Sequence, residues 1–175
     1  MKTKKILLPL ATLVAAGAIA VGSGATFTST SANTISSVTS GTLTQSNSKA
    51  NAAVFNLTNI KPGDVVNGSL TIKNTGSLPA TFSLTETAST NTFTAANLQL
   101  TITNTTTSKV VYTGTFGGLV DGAKNDLGVV APGVANDYTF AVKLDPTTPN
   151  TDQGKTATAA FQWDSVQADA TTTNQ

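Results

Sequence analysis

The sequence predicts an all-β protein, a two-sheet antiparallel sandwich of jelly-roll type. Three observations lead there: branched, strand-favouring residues are abundant, apolar residues alternate with period two in several separate runs, and short turn signals divide those runs. Thr alone accounts for 34 of the 175 residues. Its stiff branched side chain, like that of Val, suits a pleated surface and mildly disfavours helix. Such a composition without alternation would describe a disordered stalk, so it is the alternation that decides.

Ala53, Phe55 and Leu57 alternate before the turn Lys61-Pro62-Gly63-Asp64, and Val66, Gly68, Leu70 and Ile72 follow it. The corner Asn74-Thr75-Gly76-Ser77 leads to Leu78, Ala80, Phe82 and Leu84. Leu98, Leu100 and Ile102 form the next run, closed by the polar stretch 104–108, with 111–115 as its expected partner. The glycine-rich, acidic segment 116–126 reads as a loop. Leu127, Val129 and Ala131 precede the turn Pro132-Gly133; Tyr138, Phe140, Val142 and Leu144 give the clearest strand. After a loop holding Pro146 and Pro149, the run Ala157, Ala159, Phe161 and Trp163 is the last. Each run has one apolar face and one face of Thr, Ser, Asn or Lys, the pattern of antiparallel sheets packed on one side and wet on the other.

The turns have their own chemistry. Pro62 presets φ, Gly63 accepts a positive φ and Asp64 can bond local backbone; Asn74 and Gly76 serve the next corner in the same way. These residues are read as structural turns rather than as a ligand site. Trp163, the sole Trp, continues an apolar strand face and is read as a core residue, the alternative being a stacking platform for sugars.

The N-terminus does not read as part of the fold. Lys2, Lys4 and Lys5 precede an apolar run from Ile6 to Val21, and Gly22, Ser23, Gly24 and Ala25 close it, the three parts of a secretory signal peptide. The run is shorter than the roughly 20 residues of a spanning helix. Cleavage is expected between Ala25 and Thr26. The expected layout is therefore a signal peptide over 1–25, an extended segment over 26–38, a sandwich over 39–167 and a disordered tail over 168–175. Loss of three lysines takes the charge from +1 to −2, from ten Lys against nine acids to seven against nine.

Composition also excludes chemistry. Every basic residue is Lys, so the clustered Arg of nucleic-acid binding is absent, and no membrane partner is expected after cleavage. There is no Cys and no His, which removes the disulfide frame, the thiolate nucleophile and the commonest zinc ligand and general base. Glu86 is the only Glu; paired with an Asp it could make a glycosidase dyad, but a satisfied surface charge is the expected reading. The string Asp121 to Asp126 has the oxygen ligands of a calcium loop but no bidentate Glu, and is read as a solvated turn. No catalytic residue, metal or cofactor is assigned, and the chain is expected not to be an enzyme.

Three blocks resemble the TasA/camelysin family of secreted bacterial matrix proteins. They are Gly24-Ala25-Thr26-Phe27 leading to Thr39-Ser40-Gly41-Thr42-Leu43, then Phe55 to Asp64 continuing into Lys73-Asn74-Thr75-Gly76-Ser77-Leu78, and finally Phe161 to Gln167. The resemblance implies a jelly roll exported through a dedicated signal peptidase. It further implies subunits that polymerise head to tail, the N-terminal segment of one adding as a strand to the next. The candidate donor segment is 26–38, where Phe27 and Ile35 lie an even number of residues apart and so share a strand face. A flexible leader and an intramolecular strand are the other readings. The camelysin side of the family carries a metallopeptidase label, which a chain without His does not suit. The chain also lacks the long charged insertions of TasA itself. The functional expectation is a structural subunit of extracellular fibres, the alternative a monomeric surface adhesin or carbohydrate binder.

Overall fold

A computed structural model describes residues 40–55, 60–94 and 96–169. The expectations for the signal peptide, for 26–38 and for most of the C-terminal tail therefore fall outside the described residues. One compact unit runs from Gly41 to Asp169. Its strands are β1 (Gln45–Asn47), β2 (Val65–Asn74), β3 (Ala80–Asn91), β4 (Leu98–Asn104), β5 (Lys109–Thr115), β6 (Lys124–Val130), β7 (Ala135–Leu144) and β8 (Ala157–Gln167). Among the described residues the one helical turn is a 3-10 segment, Asn150–Asp152.

All pairings are antiparallel, in a five-stranded sheet ordered β1-β2-β7-β4-β5 and a three-stranded sheet ordered β6-β3-β8. The expected all-β sandwich is what forms. Alternation along each strand sets its buried face: Leu70 and Ile72 on β2, Leu98, Leu100 and Ile102 on β4, Tyr138, Phe140, Val142 and Leu144 on β7. The register aligns these into rows, with Val66, Val142 and Leu100 abreast and Gly68, Phe140 and Ile102 abreast. Ala80, Phe82 and Leu84 of β3 close the core from the other sheet. Each large apolar side chain fully removed from water contributes about 1.5–3 kcal/mol.

Four expectations need correction. The described part of the run 53–57 is not strand: Val54 and Phe55 pack against the core instead. Gly68 makes room for them, since a Cβ there would lie 2.3 Å from the Val54 carbonyl oxygen, and Phe55 sits 6.2 Å from Phe140 and 6.1 Å from Phe116. The loop expected over 116–126 ends early, because Lys124 already pairs with Thr85 and β6 begins there. Two of its apolar residues, Phe116 and Leu119, belong to the core. β3 runs on to Asn91 through a bulge after Glu86, because Ala157–Ala160 of β8 supply partners for its polar end. Glu86 is fully buried rather than a surface charge, since it continues the inward face of Ala80, Phe82 and Leu84.

Candidate functional site

Three of the pairings nest: β4 with β5, outside it β3 with β6, and outside that β2 with β7, the last two lying in different sheets. Such nesting is a single long hairpin rolled into two sheets, the jelly-roll arrangement. The next outer pair of the series would join β8 to chain preceding β2. Instead β1, only three residues long, lies on the edge of β2, and among the described residues β8 pairs with β3 alone. Among the described residues, the second edge of the eleven-residue β8 has no strand against it.

The features along that edge are specific. Gln45 Nε2 donates to the main-chain oxygen of Trp163 at 2.7 Å, so a side chain from β1 occupies one backbone acceptor of β8. Behind the edge, Trp163 lies 4.7 Å from Tyr138 and Phe161 lies 5.2 Å from Phe140. Trp163 is buried, whereas Ala157, Ala159 and Phe161 are only half-buried. The core reading of Trp163 therefore holds, and no face of the indole is presented as a sugar platform. At the head of β8 a cavity of about 960 Å³ opens, lined in part by Ile60, Phe93, Leu144 and Ala157, with Lys61 and Lys155 at its rim. Asp152 props up one wall, accepting from Thr94 Oγ1 at 2.9 Å and Asn97 Nδ2 at 2.8 Å. The Asn97 bond leads the effects that hold its carboxyl below the usual Asp range.

The turn residues singled out in the sequence lie away from this edge or tie chain segments to it. Gly63, at φ +92°, donates to Leu144 O, while Asp64 closes on Lys61 through a main-chain bond and through its carboxylate, both at 3.0 Å. Pro62 lines the cavity. Asn74 does more than turn the chain. It is fully buried, its Nδ2 donates to Leu78 O at 2.8 Å and Val130 O at 2.9 Å, and its Oδ1 accepts from Gly76 N at 3.0 Å. The end of β2 in one sheet is thereby clamped to the end of β6 in the other. Gly76 is required by close approach, since a Cβ would meet Thr42 O at 2.3 Å. Gly76 N and Ser77 N bond to Thr44 O and Thr42 O, which lays the chain before β1 along this corner. Ala25, Thr26, Phe27 and Ile35 are outside the described residues.

Glu86 is the feature that sequence reasoning misplaced. Neither carboxyl oxygen has a hydrogen-bond partner, nor does the nearby buried hydroxyl of Thr85. Burial, reinforced by the charge of Asp121, pushes its pKa up to about 7; the Leu119 main chain opposes that shift in part without reaching hydrogen-bond geometry. Period-two alternation from Ala80 was the available signal, because it places residue 86 on the inward face.

Residues 2–81 match the family described as camelysin metallo-endopeptidase. No curated protein sequence matches the chain. That family description implies a metal, and the residues present do not suit one. The chain has no His or Cys, no three acidic side chains gather into a set of ligands among the described residues, and its one Glu is sealed in the core without partners. In the string Asp121 to Asp126, Asp126 Oδ1 accepts from Gly128 N at 2.9 Å and Lys124 pairs with Asp164 at 3.6 Å. The match runs from the signal-like start through the Asn74–Leu78 corner, so it covers the first two of the three blocks that carry the resemblance and supports the camelysin/TasA reading at family level.

Proposed function

We propose that this chain is an exported structural subunit that polymerises into extracellular fibres, the segment 26–38 of one copy filling the strand position beside β8 of the next. The observation that carries the reading is the nested pairing that stops one strand short and leaves β8 with a long unpartnered edge among the described residues. An uncovered edge of that length is an aggregation hazard, which native proteins cover or blunt. A strand added there would gain main-chain hydrogen bonds and apolar side-chain sites at alternate positions. Phe27 and Ile35 suit the half-buried surface of Ala157, Ala159 and Phe161 and the apolar lining at the head of β8. A contact between the N-terminus of one copy and the edge of another is heterologous, so it propagates as a filament unless it closes into a ring.

Electron microscopy of protein beginning at Thr26 tests this. Fibres are expected, and they should vanish when 26–35 is deleted while the sandwich stays folded. Identical fibres from the deletion variant, or a parent that stays monomeric at high concentration, would transfer the assignment to a monomeric surface adhesin.

A further inference from the structure

Glu86 sits beneath the segment linking β5 to β6. Gly122 N donates to Glu86 O at 2.8 Å, which lays the far end of that segment directly over this residue. The near end is fastened by Phe116 N to Leu98 O at 2.9 Å and by Asn91 Nδ2 to Phe116 O at 2.9 Å. Both ends carry a glycine in the left-handed region, Gly117 at φ +73° and Gly122 at φ +78°, where a change of backbone direction costs least. Between them Leu119 is buried and Val120 is largely exposed.

The carboxyl beneath is fully buried, with both oxygens unpartnered. A neutral carboxyl tolerates such a site far better than a carboxylate, which requires donors or water. The charged and titratable groups around it offer no relief. Asp121, on the covering segment, is an acid whose charge disfavours a second one. Tyr112 on β5 spends its hydroxyl on Thr115 O at 2.7 Å. Lys124 on β6 is registered with Thr85 rather than Glu86, and is paired with Asp164 of β8 at 3.6 Å.

We propose that the segment from Phe116 to Ala123 is a proton-gated cover: closed over Glu86 while the carboxyl is protonated, and lifted to admit water when it ionises. Opening exchanges the Gly122–Glu86 bond and part of the Leu119 contact for hydration of the carboxylate. The gate would work near neutrality, since burial and Asp121 move Glu86 from 4.5 to about 7. A shift of that size multiplies the ratio of open to closed forms by at most about 300 between the two protonation states.

Glu86 is the only glutamate of the chain, so its side-chain carboxyl resonance is unique and can be titrated directly in the full-length or processed protein. Amide hydrogen exchange is followed over the same pH range and divided by the intrinsic rate. Gly122 is expected to lose protection by tens- to a few hundred-fold as Glu86 ionises, while Ile102 and Val142 in the central strands keep theirs. In Glu86→Gln that pH dependence should disappear. A Glu86 midpoint at the ordinary value near 4.5 would overturn the proposal. So would Gly122 protection that ignores the titration, equal loss at Ile102 and Val142, or an unchanged pH profile in Glu86→Gln. Should that variant fail to fold, the wild-type carboxyl titration and the Gly122 profile still decide, because their midpoints must coincide.

Discussion

Gln45 and Trp163 are 118 residues apart in the chain, yet the Gln45 amide donates to the Trp163 main-chain oxygen at 2.7 Å. Gln45 thus occupies an acceptor on the edge that the proposed donor strand would use, so its substitution affects the two states differently. Gln45→Ala is expected to cost the isolated domain about 1 kcal/mol in urea denaturation. The same change should speed fibre growth followed by light scattering, because a donor strand no longer has to displace the side chain. Slower growth would argue that β8 is not the acceptor.

The donor side is tested separately. Phe27→Asp should leave the domain as stable as the parent and yet weaken assembly, since that side chain meets an apolar site only across the subunit contact. Sedimentation of assembled material and thermal unfolding of the soluble fraction distinguish the two effects. The precursor with 1–25 retained should assemble poorly. Mass spectrometry of exported protein should find Thr26 as the first residue, and retention of Lys2 to Lys5 would count against export.

Asn74 makes three side-chain hydrogen bonds in a fully buried position, two within its own corner and one to Val130 of the other sheet. Asn74→Ala strands the carbonyls of Leu78, part-buried, and Val130, buried, and is expected to destabilise by about 3 kcal/mol. Trp163, buried against Tyr138, reports that unfolding by its fluorescence. Gly76→Ala should instead act locally, displacing the chain around Thr42 that its Cβ would strike.

Glu86 also makes global stability depend on pH, and the sign follows from the direction of its shift. Its folded value, about 7, lies above the ordinary 4.5, so between those values the folded state binds more protons than the unfolded one. The stabilisation is therefore complete below pH 4.5 and is lost as pH rises to about 7. The difference is about 3 kcal/mol. Glu86→Gln should gain stability at pH 8 relative to the parent and little at pH 4, as read by chemical denaturation at both values.

Purified protein is expected to hydrolyse no peptide substrate, with or without added zinc, because the chain lacks His and Cys and its described acids do not assemble a ligand set. Tightly held stoichiometric zinc with chelator-sensitive proteolysis would overturn this.

That the chain forms strands, and which face of most of them is buried, is legible in the order of its residues. Side-chain direction alternates with every residue, so the runs at Leu70–Ile72, Leu98–Ile102 and Tyr138–Leu144 declare their inner faces locally. Turn chemistry at Pro62-Gly63 and Pro132-Gly133 was legible for the same reason, being confined to a few adjacent dihedrals. Partnership between strands is not local and emerges only when the sheets assemble. Nothing in residues 157–167 announces that β8 has one strand neighbour among the described residues, or in Gln45–Asn47 that so polar a stretch pairs with β2. Phe55 reads as strand by its spacing, but Gly68 on β2, the strand that follows, leaves the space that draws Val54 and Phe55 into the sandwich instead. Glu86 shows the division most sharply. Its position on the inward face follows from alternation, whereas the lack of a hydrogen-bond partner for either carboxyl oxygen depends on how the Phe116–Ala123 segment closes over it, a contact between chain segments some thirty residues apart.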